Sequence, residues 1–135
     1  MRVTPQGLTE PAFFVLTALA GAPRHGYGIV GEVAELSQGR VRLKIGTLYG
    51  VLNRLVAEGM VELDREEVQQ GRLRRYYRLT ESGGRALAAE ATRQAANAQA
   101  ASERLRSWVA ADGARVRVGV GQAPEAPATP WAGTA

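Results

Sequence analysis

Two motifs constrain this chain more than anything else in it: Gly46-Thr47-Leu48-Tyr49, and further along Arg74-Arg75-Tyr76-Tyr77-Arg78-Leu79-Thr80. The first opens a segment in which Leu48, Val51, Leu52 and Leu55 recur at i, i+3, i+4 and i+7. That spacing predicts an amphipathic helix with one core-facing stripe. Its opposite face carries Thr47, Tyr49, Gly50, Asn53 and Arg54. In the second motif Tyr77 and Leu79 alternate with Tyr76 and Arg78, which predicts the return strand of an arginine-studded hairpin. A reading helix followed by a basic hairpin is how a winged helix-turn-helix holds duplex DNA.

The distribution of charge points the same way. Residues 36–57 contain Arg40, Arg42, Lys44 and Arg54 and no carboxylate. Residues 68–80 contain Arg72, Arg74, Arg75 and Arg78, again with none. Eight of the 17 basic residues thus fall in two acid-free stretches, while the whole chain carries a net charge of only +4. Segregation of this kind produces a local positive field suited to a polyanion. The plainer reading is a solvated basic face. Arginine dominates the basic residues, and a GC-rich genome would favour it as much as phosphate recognition would.

Around these motifs the chain reads as mainly α with a small β-hairpin. Thr9 is placed to cap a first helix, with Glu10 and Pro11 in its first turn and Phe13, Phe14, Leu16 and Leu19 on its apolar face. Gly21 and Pro23 end it, and residues 22–26 read as a turn. A second helix is predicted from about Gly26 to Ser37, with Tyr27, Val30, Val33 and Leu36 facing inward. The third runs from Ile45 to Gly59, a natural residue for stopping a helix. Strand-like segments at 61–64 and 76–79 flank a polar turn at 69–72. Thr80 can cap a fourth helix, Glu81 to about Ala111, roughly 45 Å long. Its seam combines Gly84, Ala91, Ala98 and Leu105 with Leu87, Gln94, Ala101 and Trp108, and it needs a partner helix to bury it. The simplest partner is its twin in a homodimer; packing onto the first helix of the same chain is the alternative, and both contacts are expected. The organisation is therefore a DNA-binding domain over 1–80, a dimerisation helix over 81–112 and a Pro/Ala-rich tail over 113–135 that reads as disordered.

The candidate DNA contacts are Thr47, Tyr49, Asn53 and Arg54 on the third helix, Lys44 just before it, and Arg72, Arg74 and Arg75 on the wing. Tyr27 joins them, although it is also in phase with an inner stripe. Tyr49 could instead be a core aromatic, Tyr77 reads as core, and Tyr76 is open. The dimerisation candidates are Leu87, Ala91, Ala98, Leu105 and Trp108. The lone His25 has no cluster of carboxylates or cysteines near it in sequence, and nothing assembles a metal site, a cofactor site or a nucleophile with its base. With no cysteine there is no disulfide or thiol redox centre. Residues 12–22 have the look of a short signal core, but Arg2, Glu10 and Pro11 are the wrong flanks, and no apolar run is long enough to span a membrane. A cytoplasmic location is expected. A winged-helix module that binds protein instead of DNA is the rival, and the acid-free basic faces disfavour it.

Four groups of residues resemble the PadR transcriptional regulators in order and spacing. They are His25-Gly26-Tyr27-Gly28-Ile29, Gly46 to Tyr49, Leu52 to Leu55 with Glu58-Gly59-Met60-Val61, and Arg74 to Thr80 with Gly83. The resemblance covers about residues 9–90. It implies a winged helix-turn-helix, a dimer built through the last helix, and repression relieved by a small molecule. One long last helix looks like the short PadR subgroup. The chain departs from the family at Lys44 and Ile45, where Ser and Pro are frequent, and at Val56, where Glu is common. Multidrug-binding members stack flat ligands on an aromatic early in the last helix; the matching place here is near Gln94.

Overall fold

The computed structural model describes residues 7–111, so the tail expected over 113–135 lies outside the described residues. The elements follow in the order α1 (Glu10–Gly21), β1 (Arg24–His25), α2 (Gly26–Leu36), α3 (Ile45–Ala57), β2 (Val61–Gln69), β3 (Arg72–Leu79) and α4 (Glu81–Ala111). This is a winged helix-turn-helix: α2 and α3 form the helix pair, and the β2–β3 hairpin forms the wing.

Thr9 caps α1 as predicted, its hydroxyl accepting from the Ala12 amide at 3.2 Å. The buried face of α1 is Ala12, Val15, Leu16, Ala18 and Leu19. Phe13 and Phe14 are only half-buried and pack edge-to-face on each other, with centroids 5.3 Å apart. The expected aromatic face is thus displaced by about one residue. Small alanines let the helix approach the core closely, and the bulky rings are left at the margin.

In α2 the buried residues are Gly26, Ile29 and Val33, whereas Tyr27 and Leu36 are exposed. The inward stripe expected through Tyr27, Val30, Val33 and Leu36 is therefore rotated, with Val33 its one fully buried member. After α2, Ser37 is buried; its Oγ accepts from the Val41 amide at 2.9 Å and donates to the Ala34 carbonyl at 3.3 Å. Gln38 and Gly39 both take positive φ to make the turn.

Helix α3 buries Leu48, Leu52 and Leu55, as its spacing predicts, with Val51 packed partly against the same core. Lys44 occupies the N-cap position and makes no side-chain cap bond. At the other end Gly59 has φ 78°; its amide bonds the Val56 carbonyl, and the Met60 amide bonds the Leu55 carbonyl. This double bond pattern is a Schellman stop.

The sheet has three strands in the order β1-β3-β2, all antiparallel. The segment expected as a simple turn before α2 contributes the third strand, pairing Arg24 with Tyr77 and His25 with Tyr76. Two residues carry no periodicity, so only the pairing reveals them. The wing turns through Gln70 (φ 52°) and Gly71 (φ 76°), the positive angles a two-residue hairpin turn needs. A register shift between Leu63 and Arg65 kinks β2.

The start of α4 is locked to the wing's base. The Thr80 hydroxyl donates to the Gly59 carbonyl at 2.7 Å and accepts from the Gly83 amide at 2.9 Å. A Cβ at position 83 would run into the Met60 carbonyl, so only glycine fits there. The compact unit continues through Glu90, and a second unit begins at Ala91. Within the first, Ala86 and Leu87 pack partly against the core. Leu87, expected on a dimer seam, is thus already engaged in its own chain. Within the second, residues 91–101, Ala91 and Ala98 among them, are exposed, Leu105 is half-buried and Trp108 is 49% exposed.

Candidate nucleic-acid interface

The outer face of α3 is presented to solvent: Thr47, Tyr49, Gly50, Asn53 and Arg54 are all exposed, as is Lys44 before the helix. Between this face, the start of α2 and the outer half of β3 runs an open cleft of about 500 Å³. Six of the nine sequence-predicted contacts line it: Tyr27, Tyr49, Asn53, Arg72, Arg74 and Arg75. Lys44, Thr47 and Arg54 lie outside it. No carboxylate lines the cleft.

The two informative motifs meet here. Gly26 is buried against the Tyr49 ring; a Cβ at Gly26 would sit 2.6 Å from the Tyr49 hydroxyl. Glycine at the head of α2 therefore makes room for the tyrosine of α3. Tyr49 is a packing residue at its tip, yet it remains 39% exposed and lines the cleft. Tyr27, expected partly as core, is 63% exposed beside it. Tyr77 packs partly against the core, as its phase implies.

Folding changes the electrostatics that the linear sequence suggests. β3 has no acids, but its register sets it against the acidic β2, with Glu62 opposite Arg78, Glu66 opposite Arg75 and Glu67 opposite Arg74. Arg75 donates to Glu66 at 3.1 Å. Arg78 donates to Glu62 at 2.7 Å and to Asp64 at 3.0 Å. Arg65 bridges Asp64 and Glu67 at 2.8 and 2.7 Å while lying 3.9 Å over the Tyr76 ring. The wing is therefore much less positive than its acid-free return strand implies. Hydrogen bonds from Arg65 and Arg78 hold the Asp64 carboxyl below its usual range, and Arg65 does the same for Glu67. Tyr76 belongs to this lattice, its hydroxyl accepting from Gln69 at 3.1 Å.

Two wing arginines escape neutralisation. Among the described residues Arg72 has no ion pair. Arg74, though across from Glu67, instead points an NH1 at the Nδ1 of His25, 3.4 Å away, and its Nε is shut off from solvent without a hydrogen-bond partner. His25 caps α2 with the same Nδ1, which accepts from the Gly28 amide at 3.2 Å. Burial, and then the charge of Arg74, hold the imidazole below its ordinary pKa. Sequence reasoning gave His25 no role. The signal was a polar residue immediately before the glycine that opens α2, where a cap belongs. Among the described residues no group of His, Asp or Glu could hold a metal, and no helix is long and apolar enough to cross a membrane.

Residues 15–89, more than half of the chain, match the model of the transcriptional regulator PadR-like family. The chain belongs to the PadR-like family. That is a family of transcriptional regulators, and the resemblance carried by the four motif groups holds. A PadR family regulator from Clostridium difficile has a similar structure, with a TM-score of 0.58 at 22% identity, over 72% of this chain and 99% of that one. The complex structure of hsRosR-S1 is 29% identical, with a TM-score of 0.54, over 78% of this chain and 91% of that one. An uncharacterised protein of Lysinibacillus sphaericus is 32% identical over 69 residues, 51% of this chain and 63% of its own length. The chain thus spans less than two thirds of that curated relative. The PadR match ends at residue 89, within α4 and next to the boundary of the first compact unit.

Proposed function

We propose that this PadR-like chain is a cytoplasmic, homodimeric repressor that reads a pseudo-palindromic operator and is released by a small molecule. In this reading residues 1–80 bind DNA and residues 81–112 dimerise through Ala91, Ala98, Leu105 and Trp108, Leu87 being taken up by the core of its own chain. The two copies of α3 enter successive major grooves about 34 Å apart. Thr47, Asn53 and Arg54 face base edges, while Lys44, Tyr27 and Tyr49 meet the backbone. The wing adds Arg72 and Arg74, with Arg75 in a lesser part because Glu66 already neutralises it. The observation that carries the reading is the cleft: six of nine candidates converge on one surface without a carboxylate, beside a solvent-facing helix face.

The deciding experiment is a gel shift at graded salt with DNA from the chain's own upstream region and with scrambled DNA. A specific, salt-dependent complex is expected. Asn53→Ala should relax preference at particular base pairs by about 1–3 kcal/mol while leaving scrambled DNA unaffected. Binding to neither DNA at low salt would leave the protein-interaction module as the surviving reading.

A further inference from the structure

His25 is the chain's only histidine, and its Nδ1 faces two donors at once, the Gly28 amide at 3.2 Å and Arg74 NH1 at 3.4 Å. Neither can accept a hydrogen bond, so Nδ1 is unprotonated and the ring proton sits on Nε2. The titratable and charged groups that share its cleft are Tyr27 on α2, Tyr49 on α3, and Arg72, Arg74, Arg75 and Tyr77 on β3, with Arg24 next to it on β1 and Tyr76 of β3 against its ring. Arg24 is turned to Glu32 of α2 at 3.7 Å, and Tyr76 meets the imidazole edge-to-face at 5.2 Å. Nothing there offers the imidazole a negative charge.

Arg74 is as poorly served. Arg65, Arg75 and Arg78 each have carboxylates at 2.7–3.1 Å. Arg74 has a neutral imidazole at 3.4 Å and a sequestered Nε without a partner. A guanidinium in that state lacks an anionic acceptor, and the cleft it lines has none of its own.

We propose that one DNA backbone phosphate seats between Arg74 and His25, and that His25 takes up a proton from solvent as the phosphate enters. The inference rests on the DNA-binding reading above. A phosphate oxygen draws the guanidinium off Nδ1 and cancels the charge that opposed protonation. The imidazole then stands beside an anion, and the imidazolium adds a second charge to the seat. What is lost is the cap to Gly28, a neutral bond and weaker than charge-assisted bonds to phosphate. DNA affinity therefore rises as pH falls, because binding takes up a proton.

The test measures affinity of the full chain for a random-sequence duplex at fixed low salt between about pH 8 and pH 5. His25→Asn is the comparison, since asparagine caps a helix but does not titrate. Titration of carboxylates affects both proteins alike, so the difference isolates His25. Relative to the variant, the unmodified protein should gain affinity on acidification, by at least about threefold in total and no more than about tenfold per pH unit, the limit for one proton. The NMR titration midpoint of the His25 ring should move up when the duplex is added, a readout that does not depend on the variant folding. Parallel pH profiles with an unmoved midpoint, or a relative loss of affinity in acid, would overturn the proposal. If neither protein binds any duplex at any pH, the DNA-binding reading itself falls.

Discussion

Gly26 and Tyr49 lie on different helices and in different motifs, yet they make a single contact. Gly26→Ala should destabilise the fold by about 1–3 kcal/mol through overpacking, read from the urea midpoint. In a Tyr49→Ala background most of that cost should vanish, a non-additivity that additive costs would refute. His25 supplies a second residue-scale prediction. Its folded pKa lies below the ordinary 6.5, so the unfolded chain binds the proton more readily. Its contribution to stability is then complete above about pH 6.5 and is lost as pH falls below that value towards the folded one. Melting curves across this window should show the free protein weakening on acidification, with His25→Asn flatter. Free-protein stability and DNA affinity thus move in opposite directions with pH.

At the scale of the element, the wing decides how many charges DNA meets. Arg72→Ala or Arg74→Ala should weaken binding to every sequence and reduce the salt slope by about one ion each. Arg75→Ala should do less, and Glu66→Gln should strengthen binding by freeing Arg75. Equal losses for all three arginines would refute this ordering. None of it was legible from β3 alone. The positions of Glu62 and Glu66 opposite Arg78 and Arg75, and of Asp64 within reach of Arg78, depend on the tight Gln70-Gly71 turn and on the register shift between Leu63 and Arg65. By contrast, Leu48, Leu52 and Leu55 were readable directly, because a buried helix face leaves a period of 3.6 in the chain. Phe13 and Phe14 misled for the opposite reason: hydrophobicity by itself does not say which flank of a helix meets the core, and Ala12, Val15 and Ala18 do so here.

For the whole molecule, the proposed dimer rests on α4. Leu105→Ala together with Trp108→Ala should shift the sedimentation coefficient toward the monomer at micromolar concentration. Loss of the dimer should weaken operator binding far more than binding of a single half-site, because the second reading helix then engages independently. A protein that stays monomeric before substitution would remove the two-fold geometry from the reading. Leu87 belongs on the other side of this test, since it already packs on the first unit's core. Its truncation should lower the stability of the fold itself, by about 2–4 kcal/mol if the site cannot collapse.

The amino-acid sequence alone determined the succession of helices, the hairpin, the outward face of α3 and the family resemblance, all of which are written in local periodicity, caps and short motifs. Only the tertiary structure decided that Arg24–His25 is a strand, that Gly26 yields to Tyr49, that Arg75 and Arg78 are neutralised, and that Arg74 faces His25. Each of those outcomes joins residues far apart along the chain. Charge and packing act through space, packing over a few ångströms and charge over about 10 Å in salt, and sequence order says little about which groups come within that range.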